Sequence, residues 1–304
     1  MKRNNLPNFL IVGAAKSGTT FLYECLKEHP EIFMPSLKEP RFITSNFINF
    51  PLNGMDENVE KYIVKDFNNY LDLFSCVGNK NCIGEASTDN LYFYKDAIKY
   101  IKKNFGDIKI IIILRNPIER AFSAYLHLVR DNREFLTFEE ALLEEDKRKN
   151  NNWDFIWFYK DAGLYYKQVK AYLENFLKVK IYLYENLKNN PLFVLKDIYS
   201  FLEVDNNYIP KSINKKFNIS GVPKINFMHQ FILKPNIIKT VIRYPVRIVL
   251  PRKYRLRIIN KILYYNLKKP EINEITRESL KLFFKEDILK LQVLSGIDLS
   301  NWIL

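Results

Sequence analysis

The sequence predicts an α/β fold: a parallel sheet flanked by helices, with a helical C-terminal segment appended. Three observations carry this expectation. Strand-like and helix-like runs alternate along the chain, the pattern of βαβ units. Residues 108–114 are apolar at every position but Lys109, as a strand covered on both faces is. Two strand-like runs also pass into helices through short turns, at Gly13 and at Arg115.

The elements follow in order. Residues 9–12 form a buried-strand run that ends at Gly13. A helix follows with Phe21, Leu22, Cys25 and Leu26 on one face, ending near His29 and Pro30. Residues 42–80 are rich in Asn and Phe and show no period, so they read as irregular; residues 83–88 read as loop. After the strand at 108–114, Pro117 fits the first turn of a helix. In that helix Ile118, Ala121, Phe122, Tyr125 and Val129 repeat at helical spacing and face the core. Arg120, Ser123, His127 and Arg130 make a polar stripe on the opposite side. Residues 179–184 are a further strand, and residues 137–147, 191–202 and 271–292 are further helices. The whole, residues 1–304, reads as one domain, with a core over 8–225 and a basic helical part over 226–304.

Hydrophobic residues make up 47% and charged residues 27% of the chain, which excludes a disordered chain and supplies a large core. The three cysteines, Cys25, Cys76 and Cys82, are too few for a disulfide scaffold. With His29, His127 and His229 they form no zinc-ligand spacing, and no metal is expected. No run reaches the length of a membrane helix. Lys2 and Arg3 before the apolar run at 9–12 loosely mimic a signal peptide, but the run is too short. The expectation is a reduced, cytoplasmic protein, peripheral at most to the inner membrane face.

The formal net charge is +13. A basic surface suits anionic partners, such as nucleotides, acidic glycans, anionic lipid or nucleic acid; a simple solvated surface accounts for the charge equally well. Between residues 234 and 269 there are eleven Lys and Arg with no acid, interleaved with Ile, Val, Leu and Tyr. This basic segment suits an anionic membrane or acceptor. Against that, Pro235, Pro245 and Pro251 break any long amphipathic helix, which favours ordinary solvated helices.

The chemistry begins at Gly13-Ala14-Ala15-Lys16-Ser17-Gly18-Thr19-Thr20. A buried strand runs into a Gly-containing loop that opens a helix, where backbone N–H groups and the helix dipole favour phosphate. The spacing of Gly13 and Gly18 matches the frame of a Walker A loop, so the sheet is P-loop-like. The lysine, however, lies at Lys16 and not directly after Gly18, so a triphosphate site would lack its usual Lys. A second motif, from Leu114 to Tyr125, leaves the clearest strand and enters a helix. There Arg115 offers a bidentate phosphate grip and Ser123 a hydroxyl.

Lys16-Ser17-Gly18-Thr19-Thr20 resembles the 5′-phosphosulfate loop of sulfotransferases that use 3′-phosphoadenosine 5′-phosphosulfate (PAPS), in the bacterial branch related to heparan sulfate sulfotransferases. The Arg115…Ser123 motif resembles that family's 3′-phosphate motif. The resemblance implies that Lys16, Ser17, Gly18, Thr19, Thr20, Arg115 and Ser123 bind the donor, with Lys16 at the bridging oxygen. Ile83-Gly84-Glu85-Ala86-Ser87-Thr88 resembles the segment carrying the catalytic Glu, which makes Glu85 the expected base; His127 is expected to be structural or peripheral. Ser36 to Phe42 resembles the Lys-Glu-Pro element, which points Lys38 at sulfate or acceptor. Ala162-Gly163-Leu164-Tyr165 resembles the Gly-x-Tyr segment, which adds Tyr165 as a substrate residue. Residues 215–224 resemble the loop over the nucleotide, which adds Lys216 and Lys224.

The implied function is transfer of a sulfuryl group from PAPS to a hydroxyl, with an amine as second choice, of a glycan or glycolipid, without metal or nucleic acid. Two rivals stand beside it. A P-loop kinase or nucleotidase fits the loop but not the displaced Lys or the second motif. A non-catalytic basic membrane- or nucleic-acid-binding protein fits the charge but leaves both motifs without purpose.

Overall fold

The structure is a computed structural model, and it describes residues 6–215, 221–223, 265–268 and 270–303. Five parallel strands form one sheet in the order β2-β3-β1-β4-β5: β1 (Phe9–Gly13), β2 (Ile32–Phe33), β3 (Cys82–Ala86), β4 (Lys109–Leu114) and β5 (Val179–Leu183). Among the described residues, six helices have ten residues or more. They are α1 (Thr19–Glu28), α2 (Tyr94–Asn104), α3 (Pro117–Arg130), α4 (Tyr165–Asn175), α5 (Pro191–Leu202) and α6 (Glu274–Ser295). None is long and apolar enough to cross a membrane.

The unbroken apolar run in β4 has a direct cause. Ile110 and Ile112 point into a core built with α2, α3, α4 and α6, while Ile111 and Ile113 point into one built with α1 and α5. Successive side chains of a strand alternate faces, so a sheet covered twice needs apolar residues at every position. Helix α6 belongs to the first of these cores through Leu280, Phe284, Ile288 and Leu291. It is tied down further where Asp287 accepts the Tyr166 N–H at 3.1 Å and where Arg277 meets Glu119 at 3.0 Å.

Three sequence readings change. Residues 83–88 are not loop: they include most of β3, an inner strand paired to β1 through Leu10 and Glu85. Gly84 and Glu85 interrupt its apolar pattern, and Gly84 is needed because a Cβ there would sit 2.1 Å from the Phe9 ring. Residues 42–80 hold short helices at Phe42–Ser45, Glu57–Lys61 and Phe67–Asp72, folded over a third apolar cluster of Phe42, Tyr70, Phe74, Val77 and Ile83. In α3, Arg120 is not in a solvated stripe. It is 1% exposed and donates to the carbonyls of Phe158 and Tyr159 at 3.2 and 2.5 Å.

The Gly84 contact gives a stability prediction. Gly84→Ala overpacks a filled site, and such changes typically destabilise by about 1–3 kcal/mol. Urea denaturation is expected to show a lower midpoint with an unchanged slope. An unaltered midpoint would mean that Phe9 yields at no cost.

Candidate active site

Each of the five strands delivers a residue to one cleft at the C-terminal edge of the sheet. Lys16, Gly18, Thr19 and Thr20 follow β1; Lys38, Glu39 and Arg41 follow β2; Thr88 follows β3; Arg115 follows β4; Tyr184 and Lys188 follow β5. Helix α3 adds Ser123, Leu126 and His127 from one face. The cleft has a volume of about 1010 Å³. This is where open α/β sheets hold ligands, because loops from neighbouring strands diverge there.

Local sequence explains each loop. Gly18 takes φ 87° ahead of α1, and a Cβ there would meet the Tyr184 ring at 2.9 Å. No side chain caps α1, whereas Asn116 caps α3 by accepting from the N–H groups of Ile118 and Glu119. Arg115 bridges the two turns: its Nη1 donates to the Lys16 carbonyl at 3.1 Å, and its guanidinium lies 4.8 Å from the Tyr184 ring centre. Glu185, just after β5, accepts the Asn116 N–H at 3.1 Å and fixes the same turn.

The lining is strongly cationic. Lys16, Lys38, Arg41, Arg115, Arg133, Lys188 and Lys215 face two acids, Glu39 and Asp154. Asp154 is 2% exposed and engaged with the Arg41 guanidinium at 3.2 to 3.3 Å. The other lining carboxylate, Glu39, is ion-paired with its neighbour Lys38 and has a side chain 32% exposed. Burial opposes its ionisation, but Lys38, Arg41 and the Thr88 hydroxyl outweigh burial and hold it below the usual carboxylate range. Burial, with Arg130 and Arg115 nearby, brings the Lys16 ammonium down to about 7. A cation raised in energy by its neighbours is one that an incoming anion relieves, so this loop fits a phosphate-type group.

The sequence-predicted residues divide. Lys16, Gly18, Thr19, Thr20, Lys38, Arg115 and Ser123 lie together in the cleft. The Ser17 side chain is 0% exposed and does not line the cleft, and its N–H donates to the Ala14 carbonyl at 3.3 Å. Tyr165 is also 0% exposed and sits behind the cleft, donating its hydroxyl to the Arg115 carbonyl at 3.1 Å. Glu85, the expected base, is 0% exposed and does not line the cleft; Tyr70 donates to its Oε2 at 3.0 Å, and burial pushes its pKa up to about 7. Lys216, Lys224 and the basic segment, apart from 265–268, lie outside the described residues.

His127, expected at the periphery, lines the cleft. Burial first, then Lys16, Arg130 and Arg133, hold its pKa far below the usual range, so it is neutral. Its Nδ1 lies 2.7 Å from Arg130 Nη2, and an arginine can only donate. The same Nδ1 lies 3.4 Å from Asp131 Oδ2.

Sequence reasoning passed over Glu39, Tyr184 and Arg133. Glu39 stood inside a quoted motif, one residue from Lys38. Its signal was available: a carboxylate flanked by two cations, Lys38 and Arg41.

A family model described as Sulfotransferase family matches residues 7–208. Carbohydrate sulfotransferase 15 of Mus musculus is 30% identical over 174 residues, covering 46% of this chain and 30% of that protein. Heparan sulfate glucosamine 3-O-sulfotransferase 3B1 of Mus musculus is 26% identical over 199 residues, covering 65% of this chain and 46% of that protein. The match therefore spans less than half of the length of either curated relative. Among solved structures, a sulfotransferase from Alicyclobacillus acidocaldarius superposes with a TM-score of 0.76 at 32% identity, covering 98% of each chain.

Proposed function

The chain belongs to the sulfotransferase family, and from that premise we propose that it moves a sulfuryl group from PAPS to a hydroxyl of a glycan or glycolipid. The observation that carries this reading is the convergence of Lys16, Arg115 and Ser123 with one partly exposed carboxylate, Glu39, in a single cationic cleft. The names of the curated relatives, which include carbohydrate and heparan sulfate sulfotransferases, support a glycan acceptor.

PAPS supplies an activated sulfuryl group: the acceptor oxygen forms a bond to sulfur as the bond from sulfur to the phosphate oxygen breaks. The chain's residues serve that exchange. Glu39 accepts the acceptor's proton; it is ionised at neutral pH because Lys38, Arg41 and Thr88 hold it so. Lys16 faces the oxygen on which negative charge collects. Arg115 and Ser123 hold the 3′-phosphate and fix the donor's direction. Tyr165 acts at one remove, holding the Arg115 turn from below.

Transfer of label from PAPS to a mixed glycan and glycolipid extract tests the reading, with ATP as the competing donor. Label transfer from ATP in place of PAPS would give the kinase reading its place. Arg115→Ala is expected to weaken binding of 3′-phosphoadenosine 5′-phosphate by about 1.5–3 kcal/mol, the range for a charge-assisted contact in a partly dry site. Calorimetry measures this; an unchanged affinity in a folded variant would remove Arg115 from the nucleotide site.

A further inference from the structure

We propose that Tyr70, Glu85 and Ser87 form a positioning unit that holds the turn carrying Glu39. The inference rests on the reading of Glu39 as the base and deepens it. Glu39 and Arg41 have φ of 58° and 50°, left-handed values that side chains other than glycine rarely adopt. Such a turn persists only where its surroundings impose it. The constraints come from the end of β3. The Ala86 carbonyl accepts the Glu39 N–H at 3.0 Å, Ser87 Oγ accepts the Arg41 N–H at 3.4 Å, and the Thr88 hydroxyl donates to Glu39 Oε1 at 3.3 Å.

Glu85 lies directly before these three residues. It is fully buried, and among the described residues no cation pairs with it, which is an expensive place for a carboxyl. Its surroundings show what it does there. Tyr70 donates to Oε2 at 3.0 Å, and Oε1 has no hydrogen-bond partner among the described residues. The Tyr70 ring stacks on Phe42 with centres 4.1 Å apart and planes 17° from parallel. Phe42 follows Arg41 directly. The turn is thus held from both sides, by Ser87 at the Arg41 N–H and by Glu85, through Tyr70, at the Phe42 ring. The acid and the tyrosine act through Glu39 and do not reach the cleft.

The test measures the Glu39 carboxyl itself by carbon-13 NMR titration, with the Glu39→Gln spectrum assigning the signal. Lys38, Arg41, Lys16, Thr88 and the buried acids Glu85 and Asp89 are the groups that act on it. Tyr70→Phe keeps the stack on Phe42 and removes one hydroxyl. It is expected to move the Glu39 midpoint up toward the ordinary carboxylate range, as Thr88 and Arg41 lose register. With labelled PAPS and the glycan extract, kcat is expected to fall about tenfold with affinity for 3′-phosphoadenosine 5′-phosphate unchanged. Glu85→Ala is expected to do the same, and Glu85→Gln, which keeps the shape and an acceptor for Tyr70, to restore most of the loss. An unmoved Glu39 midpoint in a cooperatively melting Tyr70→Phe protein would overturn the proposal. Full turnover in Glu39→Gln would instead overturn the reading of Glu39 as the base.

Discussion

Glu39→Gln is expected to lose transfer by on the order of 10²–10⁴, the range that a positioned general base contributes. An acceptor hydroxyl has a high pKa and must shed its proton as it attacks sulfur, and Gln cannot take one. The amide keeps the volume and can still accept from Thr88, so the turn should stand. Binding of 3′-phosphoadenosine 5′-phosphate is expected to change little, because a carboxylate offers the nucleotide's phosphates no attraction to lose. Single-turnover transfer and calorimetry on the same variant separate the two effects. The sign of the pH effect follows from the shift. The folded Glu39 pKa lies below its ordinary value, so the ionised base persists to lower pH than a free Glu would, and activity falls only as pH drops through the depressed value. The same exchange at Glu85 is expected to cost far less, since that carboxyl is sealed from the cleft.

Much of this was legible in the sequence because the strongest signals are those of a doubly covered sheet. The isoleucine run of β4 has no other use, and the strands at 9–12 and 179–184 follow the same logic. The two nucleotide-type motifs were legible because each follows a strand end, where the fold itself places ligands. What was hidden depends on long-range packing. A strand containing Gly84 and Glu85 has neither alternation nor a continuous apolar run, so β3 looked like loop and Glu85 looked accessible. Tyr165 and Ser17 carry motif positions, yet one turns inward to hold Arg115 and the other closes a tight turn. Glu39 reaches the cleft through two left-handed residues, a backbone path that no periodicity predicts.

The five strand ends also explain why few residues suffice for function. Each loop is held by another: Arg115 by the Lys16 carbonyl, Asn116 by Glu185, Glu39 by Ala86 and Thr88. Groups held in this way need no reorganisation when charge moves, which is the condition under which electrostatic stabilisation is strongest.

Lys16→Ala is the second large loss expected, and its pH behaviour makes it separable from a generic binding defect. Negative charge grows on the leaving phosphate oxygen as the reaction proceeds, so the ammonium stabilises the transition state more than the bound nucleotide. Removing a preorganised donor of this kind typically lowers the rate by about 10²–10³. Affinity for 3′-phosphoadenosine 5′-phosphate is expected to fall by less. In the free protein burial, with Arg130 and Arg115 nearby, lowers the Lys16 pKa to about 7. A bound phosphate favours the charged form, so nucleotide binding draws in a proton above that pH. Wild-type affinity is therefore expected to weaken by up to about tenfold per pH unit above neutrality, until the pKa of the bound form is reached. The Lys16→Ala protein, with no such proton to take up, is expected to show a flatter dependence. Calorimetry in two buffers of different ionisation enthalpy reads the proton directly. Equal proton uptake in wild type and variant would place the titrating group elsewhere, and equal losses in rate and affinity would make Lys16 a ground-state phosphate ligand alone.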